Sequence, residues 1–348
     1  MIGRRPREGT LVVQTAYLGN VVLTTPLLAV LAERHGPVDV VAQPGSASVL
    51  EGHPAVHSVI PYDKRGADRG WPGITRLARE LRTRRHARAF LADGSWRAAT
   101  LAMGARIPAR TGFAGSPAAR LYTERVTRPL HGHETAKLAA LAGAAGGEPL
   151  PKVCLGLGAS DREAAGAWLA DRGVSGDFVA LAPGSVWGAR RWPHYPAFAA
   201  TLELPVVVIG GPADAPRAQK IAAAAAPGKV RSAAGEVGPR VAAAIIEQAQ
   251  ALVTNDSAAL HLATAVGTPI VALFGPTAPS FGFGPLGPRD IVLGLGELLC
   301  RPCTQLGPAV CPLEHHRCLV ELELPAVAAA LASIMQGEET RRAVRAGD

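Results

Sequence analysis

The sequence predicts an α/β protein built from two Rossmann-like domains, each containing a parallel sheet. Short apolar runs alternate with helical stretches along most of the chain, which is the pattern of parallel strands joined by crossover helices. The 348 residues are enough for two domains with separate cores. With 48% hydrophobic and 18% charged residues, the composition is typical of a folded α/β protein and excludes a disordered chain.

The elements of the first half follow from its hydrophobic pattern. The apolar runs predict strands at residues 10–14, 37–42, 57–61 and 88–92. The stretches between them predict helices at residues 22–34, 46–51, 73–84 and 96–103. Leu77 and Leu81 are spaced to lie on one buried face of the third helix. Periodicity is lost between residues 143 and 158, so we place the end of the first domain at residue 150.

A second series of strands and helices follows in domain 151–335, before a polar tail at 336–348. We expect its strands at residues 178–182, 205–209, 251–253 and 269–274. We expect its helices at residues 160–172, 194–201, 215–226, 237–248 and 257–266. Ligands of such sheets bind beyond the carboxyl ends of the strands, so the turns after the strands are the places to look for a site.

The most informative turn follows the strand that ends at Val253. It contains Asn255, Asp256 and Ser257, and it opens a helix that Asp256 or Ser257 can cap. The backbone N–H groups of such a helix start form an anion site, and a diphosphate is a common occupant. The alternative is an ordinary capped helix in an α/β core.

A second turn of interest follows the strand Phe178–Leu181. Pro183, Gly184 and Ser185 allow a ligand to approach the backbone closely. Arg190 and Arg191 follow a few residues later and are suited to bind phosphate oxygens with charge-assisted hydrogen bonds. The alternative is a surface loop with solvated arginines.

Together these segments resemble the ADP-heptose:lipopolysaccharide heptosyltransferases, which form glycosyltransferase family 9. The resemblance covers most of the chain, and it rests on residues 12–27, 183–193, 255–261 and 274–277. The segment from Cys300 to Cys318 resembles the heptosyltransferase II branch. The resemblance implies a GT-B fold, in which an acceptor-binding domain and a nucleotide-sugar-binding domain face each other across a cleft.

The implied activity is the metal-independent, inverting transfer of a heptose from ADP-heptose to a hydroxyl of the lipopolysaccharide inner core. Two alternatives remain open. One is a transferase or epimerase that uses another nucleotide sugar, and the other is a non-catalytic relative that binds sugar or lipid.

The resemblance also implies the donor-binding residues. They are Gly184, Ser185, Arg190, Arg191, Asp214, Asp256, Ser257, Ala258 and His261. Arg191 is in addition a catalytic candidate, because a cation there would neutralise the departing diphosphate. Asp214 is a candidate for the ribose hydroxyls, or alternatively an exposed turn acid. His261 is also expected to pack or hydrogen-bond within its own helix.

The chain departs from the family pattern at Asn20, where the family has an aspartate that serves as the general base. An amide has no useful basicity, and the loss of a positioned base costs about 10²–10⁴ in rate. In one interpretation, Asn20 orients the acceptor and a carboxylate elsewhere takes the proton, with Asp93 as the candidate. Alternatively, the chain is a slow or degenerate member. Gly19, Arg97 and Arg120 are the candidate acceptor-binding residues.

The formal net charge is +8, and nine of the basic residues lie between Lys64 and Arg88. The run is interpreted as the solvated face of a helix, as a surface for an acidic glycolipid acceptor, or as a nucleic-acid surface. The low aromatic content and the lack of a recognisable module exclude nucleic acid. We therefore expect a monomeric cytoplasmic protein in peripheral contact with the inner face of the cytoplasmic membrane.

No metal or cofactor is expected, although the cysteines offer an alternative. Cys300, Cys303, Cys311 and Cys318 lie close together in the sequence, which allows a structural zinc site. Only the first pair is tightly spaced, so reduced thiols in a tail that packs near the acceptor side are the preferred interpretation. Arg4 and Arg5 resemble a twin-arginine signal, but the polar residues that follow favour the first strand, loop and helix of the fold.

Overall fold

The computed structural model describes residues 8–144 and 149–337. The chain divides between Leu157 and Gly158 into two compact units, and this division falls within the stretch where periodicity is lost. Arg4, Arg5 and residues 338–348 of the expected tail lie outside the described residues. No helix within the described ranges is both long and apolar enough to cross a bilayer.

The first unit contains a six-stranded sheet flanked by helices. Its strands are β1 (Thr10–Val13), β2 (Val38–Ala42), β3 (Val56–Pro61), β4 (Arg88–Leu91), β5 (Ala109–Phe113) and β6 (Glu124–Val126). Its helices are α1 (Leu18–Leu23), α2 (Thr25–His35), α3 (Pro44–Ala47), α4 (Gly70–Arg84), α5 (Trp96–Gly104) and α6 (Glu134–Ala139). The strand order is β3-β2-β1-β4-β5-β6, and every neighbouring pair is parallel.

The second unit repeats this plan. Its strands are β7 (Val179–Ala182), β8 (Val206–Val208), β9 (Val230–Ser232), β10 (Ala251–Asn255), β11 (Ile270–Leu273) and β12 (Ile291–Leu293). Its helices are α7 (Ala159–Asp171), α8 (Tyr195–Thr201), α9 (Ala215–Ala224), α10 (Pro239–Gln248), α11 (Ala258–Val266), α12 (Arg317–Val320) and α13 (Leu324–Met335). The order is β12-β11-β10-β7-β8-β9, again wholly parallel. The α/β class with two Rossmann-like units is therefore confirmed, and the cleft between the domains stays a prediction.

Helix α4 shows how the hydrophobic pattern specifies the packing of the first unit. Leu77 and Leu81 are fully buried, as their spacing predicts, while Arg76, Arg79 and Arg82 are exposed on the opposite face. Three of the nine basic residues of the run therefore lie on the solvated face of an amphipathic helix.

The single helix predicted at 22–34 is wrong, because the chain forms α1 and α2 instead. Pro26 lies in the first turn of α2. Within a continuous helix it would clash with the carbonyl of Val22, four residues earlier, and would leave that carbonyl without a donor. The Thr25 hydroxyl instead donates to Val22 O at 2.8 Å. The helix predicted at 46–51 likewise forms α3, at Pro44–Ala47, followed by a 3₁₀ turn at Ser48–Leu50.

Several strands and helices were not predicted. They are β5, β6, β9, β12, α6, α12 and α13. Three of the strands have only three residues, so they offer too few positions for a periodic pattern to be recognised. Pairing with a neighbouring strand, which is a tertiary effect, defines them.

A buried, hydrogen-bonded carboxylate near the amino edge of the first sheet should make stability depend on acid. Asp39 Oδ2 lies 2.8 Å from His86 Nε2, and Ser58 Oγ donates to Asp39 Oδ1 at 2.7 Å. Burial raises the pKa of Asp39, but the bonds from His86 and Ser58 outweigh it and lower the pKa from 3.8 to about 2. The contribution is therefore complete above pH 4 and is lost as the pH falls through 2.

We expect Asp39→Asn to lower the free energy of unfolding at pH 7 by about 2 kcal/mol, with the deficit shrinking below pH 4. Urea unfolding across this range measures the effect, and Glu33→Gln, at an exposed position, is the control. A deficit that does not change between pH 7 and pH 2 would contradict the assignment to ionised Asp39.

Candidate active site

The carboxyl edge of the second sheet brings the two predicted turns together. Strands β7 and β10 are neighbours, with Ala182 opposite Thr254, so the turns that follow them lie side by side. The Ser185 hydroxyl donates to the carbonyl of Asp256 at 3.4 Å. Most of the predicted donor residues are therefore carried by two adjacent loops of one sheet edge.

Asn255 ties these loops together, although sequence reasoning did not select it as a site residue. Its side chain is fully buried, and its Nδ2 donates to the carbonyl of Pro183 at 2.9 Å. Its Oδ1 accepts the backbone N–H of Trp192 at 3.0 Å. Asn255 thus holds both ends of the segment that carries Arg190 and Arg191. The sequence feature that could have identified Asn255 is its position as a polar residue at the end of an apolar strand.

Helix α11 begins without a side-chain cap, so the predicted capping by Asp256 or Ser257 is wrong. The Ser257 hydroxyl instead lies 3.1 Å from the hydroxyl of Thr254. The Asp256 carboxylate instead binds Arg190 and Thr277, which lie in the turns after β7 and β11. The N–H groups of the first turn, starting at Ala258, have no acceptor within the helix and remain suited to an anion.

Asp256 and Arg190 form a buried ion pair. Arg190 Nη1 lies 2.9 Å from Asp256 Oδ2, which also accepts the hydroxyl of Thr277 at 2.7 Å. Burial raises the pKa of Asp256, although the charge of Arg190 and the hydrogen bond from Thr277 partly offset this rise. Burial lowers the pKa of Arg190, although the charge of Asp256 partly offsets this fall. Both groups are therefore engaged within the protein, where they fix the shape of the loop.

The Arg191 side chain binds a backbone carbonyl, and a second cation, Arg217, lies near it. Its Nε and Nη2 donate to the carbonyl of Ser185 at 3.0 and 2.6 Å. Burial lowers the pKa of Arg191, and so does the nearby charge of Arg217, while Asp214 raises it. Three guanidinium groups, those of Arg190, Arg191 and Arg217, interact here with two carboxylates, those of Asp214 and Asp256, so the loop region carries one positive charge in excess.

Asp214 packs directly beneath the first of the two loops. Its Oδ2 accepts the N–H of Gly211 at 3.1 Å, and its Oδ1 lies 3.4 Å from Arg217 Nη1. A Cβ atom at Gly184 would overlap the Asp214 carboxylate. Asp214 therefore supports the backbone of the loop, and its contact with ribose hydroxyls stays a prediction.

We expect Gly184→Ala to lower the free energy of unfolding by about 1–3 kcal/mol because the new methyl group meets that carboxylate. Asp214→Ala should restore most of the loss in the Gly184→Ala background, since it removes the overlapping atoms. Chemical unfolding of the two single variants and the double variant tests this. Gly166→Ala, where nothing lies within 4 Å of the added methyl group, is the control and should not destabilise. Additive losses would refute the proposed overlap.

His261 is buried in α11, and its ring meets the ring of Phe283 edge-on at 6.3 Å. Phe283 lies outside α11, so the expectation that His261 packs or hydrogen-bonds within its own helix stays a prediction. A direct donor contact stays a prediction.

The segment from Cys300 to Cys318, here called the cysteine segment, packs against the same loops. Arg301 donates to the carbonyls of Phe274 and Thr277 at 3.0 and 3.2 Å and also to that of Gly275. His316 Nε2 lies 2.7 Å from the carbonyl of Ala189. These contacts attach the cysteine segment to the turns after β7 and β11 of the second unit, and the expectation that it lies near the acceptor side stays a prediction.

Two further contacts complete the attachment of the cysteine segment. Arg190 Nη2 donates to the carbonyl of Leu306. A Cβ atom at Gly188 would overlap the carbonyl oxygen of Ala309, so glycine permits the close approach. Arg301 and His316 were not predicted as site residues, because bonds to distant backbone carbonyls leave no pattern in the sequence.

The five cysteines are all free thiols. Cys318 is buried, and burial raises the pKa of its thiol from 9.0 to about 11. Cys300 Sγ lies 4.0 Å from His315 Nε2. Within residues 8–144 and 149–337, no three histidine, cysteine or acidic side chains are grouped in a way that would hold a metal ion.

The carboxyl edge of the first sheet carries a separate polar cluster around Asp93. Asp93 Oδ2 accepts the backbone N–H of Thr15 at 3.1 Å and also its hydroxyl, while Oδ1 accepts the N–H of Ser95 at 3.0 Å. Lys64 Nζ donates to the Thr15 hydroxyl at 3.1 Å. Burial lowers the pKa of Lys64, and the charge of Asp93 opposes this. Lys64 was missed, although its place just after β3 predicts this edge.

The remaining predicted residues of the first unit lie around this cluster or apart from it. Asn20 is half-buried in α1, and its carbonyl accepts the hydroxyl of Thr24 at 2.7 Å. Gly19 is buried beside it. Arg97 is exposed, and its charge acts on Lys64 and on Tyr62. Arg120 is exposed in a 3₁₀ turn, and no contact joins it to Asp93.

Comparison with known proteins gives the family. The profile of glycosyltransferase family 9 (heptosyltransferase) matches residues 74–311, which is more than half of the chain. Lipopolysaccharide heptosyltransferase 2 of Salmonella typhimurium is 29% identical over 292 residues, covering 78% of this chain and 84% of the relative.

Solved structures agree with that match. The structure of E. coli ADP-heptose lps heptosyltransferase II superposes with a TM-score of 0.79 at 26% identity, covering 95% of this chain and 100% of the other. A family 9 glycosyl transferase from Veillonella parvula has the same fold, with a TM-score of 0.83 at 22% identity over 97% of this chain and 99% of the other. The chain belongs to glycosyltransferase family 9 and is a glycosyltransferase with the GT-B fold of that family.

Proposed function

We propose that this protein transfers a heptose from ADP-heptose to a hydroxyl of the lipopolysaccharide inner core, with inversion at the anomeric carbon. The observation that carries the proposal is the uncapped N-terminus of α11, which follows the turn that Ser185 contacts, with Arg191 held on the carbonyl of Ser185. This arrangement suits the diphosphate of a nucleotide sugar. The choice of heptose and of lipopolysaccharide is supported by the relatives named above.

At the donor end, the reaction requires neutralisation of the departing diphosphate. In the proposed complex, the first-turn N–H groups of α11 and the guanidinium of Arg191 bind the phosphate oxygens. Asp256 and Arg190 act indirectly, because their buried pair fixes the loop that carries Arg191. These N–H groups and the guanidinium neutralise the leaving diphosphate, and one such hydrogen-bond donor typically contributes a factor of about 10²–10³ to the rate.

At the acceptor end, an acidic glycolipid would meet the cations of the first unit. Lys64 is held by Thr15 at the sheet edge, and Arg97 lies near it. We infer that the Asn20 amide orients the acceptor hydroxyl. Asp93 Oδ1 accepts one backbone N–H and retains a position for a second donor, so Asp93 is the proposed acceptor of the hydroxyl proton. The leaving ADP oxygen takes the electron pair of the broken glycosidic bond.

The alternative that the protein uses another nucleotide sugar is tested by comparing nucleoside diphosphates with different nucleobases. We expect ADP to raise the unfolding temperature more than UDP or GDP at equal concentration, because the proposed donor carries adenine. Differential scanning fluorimetry with the whole chain measures this. Equal stabilisation by UDP or GDP would favour the alternative donors, and no stabilisation by any nucleotide would contradict the donor site.

A lipid-linked acceptor also implies where the protein works. We propose that the chain is a cytoplasmic monomer and contacts the inner leaflet peripherally, since the acceptor is anchored there. Neither a metal cofactor nor nucleic acid has a part in this account.

A further inference from the structure

The carboxyl edge of the first-unit sheet exposes two tryptophans. Trp71 is 69% exposed and Trp96 is 53% exposed, whereas Trp168 and Trp192 of the second unit are buried. Trp71 lies in the first turn of α4, and Trp96 is the first residue of α5. The two helices pack against each other, and each follows a parallel strand, so both first turns lie at the same edge.

Exposed cations lie next to these tryptophans in the chain. Arg69 immediately precedes α4, and Arg97 is the second residue of α5. Both are exposed, and neither forms an ion pair within the described ranges. Arg65, also exposed, lies over the ring of Tyr17 with its guanidinium carbon 5.4 Å from the ring centre.

The carboxylates of the same edge are used internally. Asp63 accepts the backbone N–H groups of residues 65–67 at 2.9 to 3.3 Å. Asp68 is buried and pairs with Arg76. Asp93 accepts hydrogen bonds from Thr15 and from the backbone of Ser95. Among the charged and aromatic side chains of this edge, the most exposed are therefore aromatic or positive.

We propose that Tyr17, Arg65, Arg69, Trp71, Trp96 and Arg97 form a docking surface for an anionic bilayer, here called the edge surface. Tryptophan rings favour the headgroup region, and basic side chains gain about fivefold in partitioning for each cation near anionic lipid. Exposed indole rings next to exposed guanidinium groups combine the two side-chain types that an anionic headgroup layer attracts. The inference rests on the proposed function in one respect, since a lipid-linked acceptor requires the first unit to reach a bilayer.

The test is co-flotation of the whole chain with vesicles of phosphatidylcholine, with or without phosphatidylglycerol, in the absence of any acceptor. We expect binding only to the vesicles that contain phosphatidylglycerol, and weaker binding as salt is added. The double variant Trp71→Ser/Trp96→Ser should bind at least about tenfold less. Arg69→Gln should bind about fivefold less.

The matched control is the double variant Arg79→Gln/Arg82→Gln, which removes exposed cations farther along α4. It should bind within about twofold of the unmodified chain, because these cations lie away from the edge. Equal losses in the control and in Arg69→Gln would overturn the edge surface, as would equal binding to both kinds of vesicle. The edge surface would also be overturned if the chain bound vesicles only when they contained the acceptor glycolipid. Stabilisation by ADP, which depends on the second unit, should be unchanged in the tryptophan variant, so a failure of the proposed transferase function is detected separately.

Discussion

Arg191→Met is expected to lower the rate of heptosyl transfer about 10²- to 10³-fold, because it removes a cation from the place where the diphosphate leaves. The guanidinium is held by two hydrogen bonds to the carbonyl of Ser185, so it is already oriented before the donor binds. The free energy of unfolding should fall by no more than about 2 kcal/mol, since only those two bonds are lost. Steady-state kinetics and urea unfolding separate the two effects.

Two further variants make the assignment specific. Arg191→Lys should recover part of the rate, because it keeps the charge but loses the forked geometry. Arg217→Met removes a neighbouring cation that pairs with Asp214, and it should change the rate less than tenfold. If Arg191→Met and Arg217→Met had equal effects, Arg191 would contribute only to the general potential of the loop.

Arg190→Met is expected to lower the free energy of unfolding by about 3–5 kcal/mol, because it leaves Asp256 as a buried carboxylate without its cation. Among the described residues, Asp256 then keeps the hydroxyl of Thr277 as its side-chain donor. Burial already raises the pKa of Asp256, and the loss of Arg190 would raise it further. The stability of the variant should therefore improve as the pH falls and Asp256 becomes protonated.

The double variant Arg190→Met/Asp256→Asn is the test of this interpretation. It should be more stable than Arg190→Met alone, since the uncompensated charge is gone. Asp256→Asn alone should cost less than Arg190→Met, because Arg190 retains the carbonyls of Asp256 and Leu306 as acceptors. Additive losses across the cycle would show that the two side chains do not depend on each other.

Much of the fold was predictable because long apolar runs and amphipathic helices leave periodic patterns. Strand β10 and helix α4 are examples, with buried positions where the pattern places them. The short strands β9 and β12 carry too little pattern. The division of α1 from α2 depends on the proline that the helix pattern alone ignores.

The candidate site was predictable in its location but not in its internal bonding. The rule that ligands bind at the carboxyl ends of parallel strands selects the turns after β7 and β10. It does not show that Asp256 pairs with Arg190, 66 residues away, and so leaves α11 uncapped. Nor does it show that Arg301 binds the turn after β11, since backbone carbonyls are common to every residue type.

The central claim is tested most directly by release of ADP from ADP-heptose with and without a heptose-deficient lipopolysaccharide acceptor, for the unmodified chain and for Asn20→Asp. We predict acceptor-dependent release by the unmodified chain, with Asn20→Asp retaining activity. Asp93→Asn should then slow release by about 10²–10⁴, as expected for a lost base. The account would be contradicted if the unmodified chain bound ADP but released none from ADP-heptose in the presence of acceptor. Release by Asn20→Asp alone would mean that the transferase scaffold is intact and that its natural chemistry is lost.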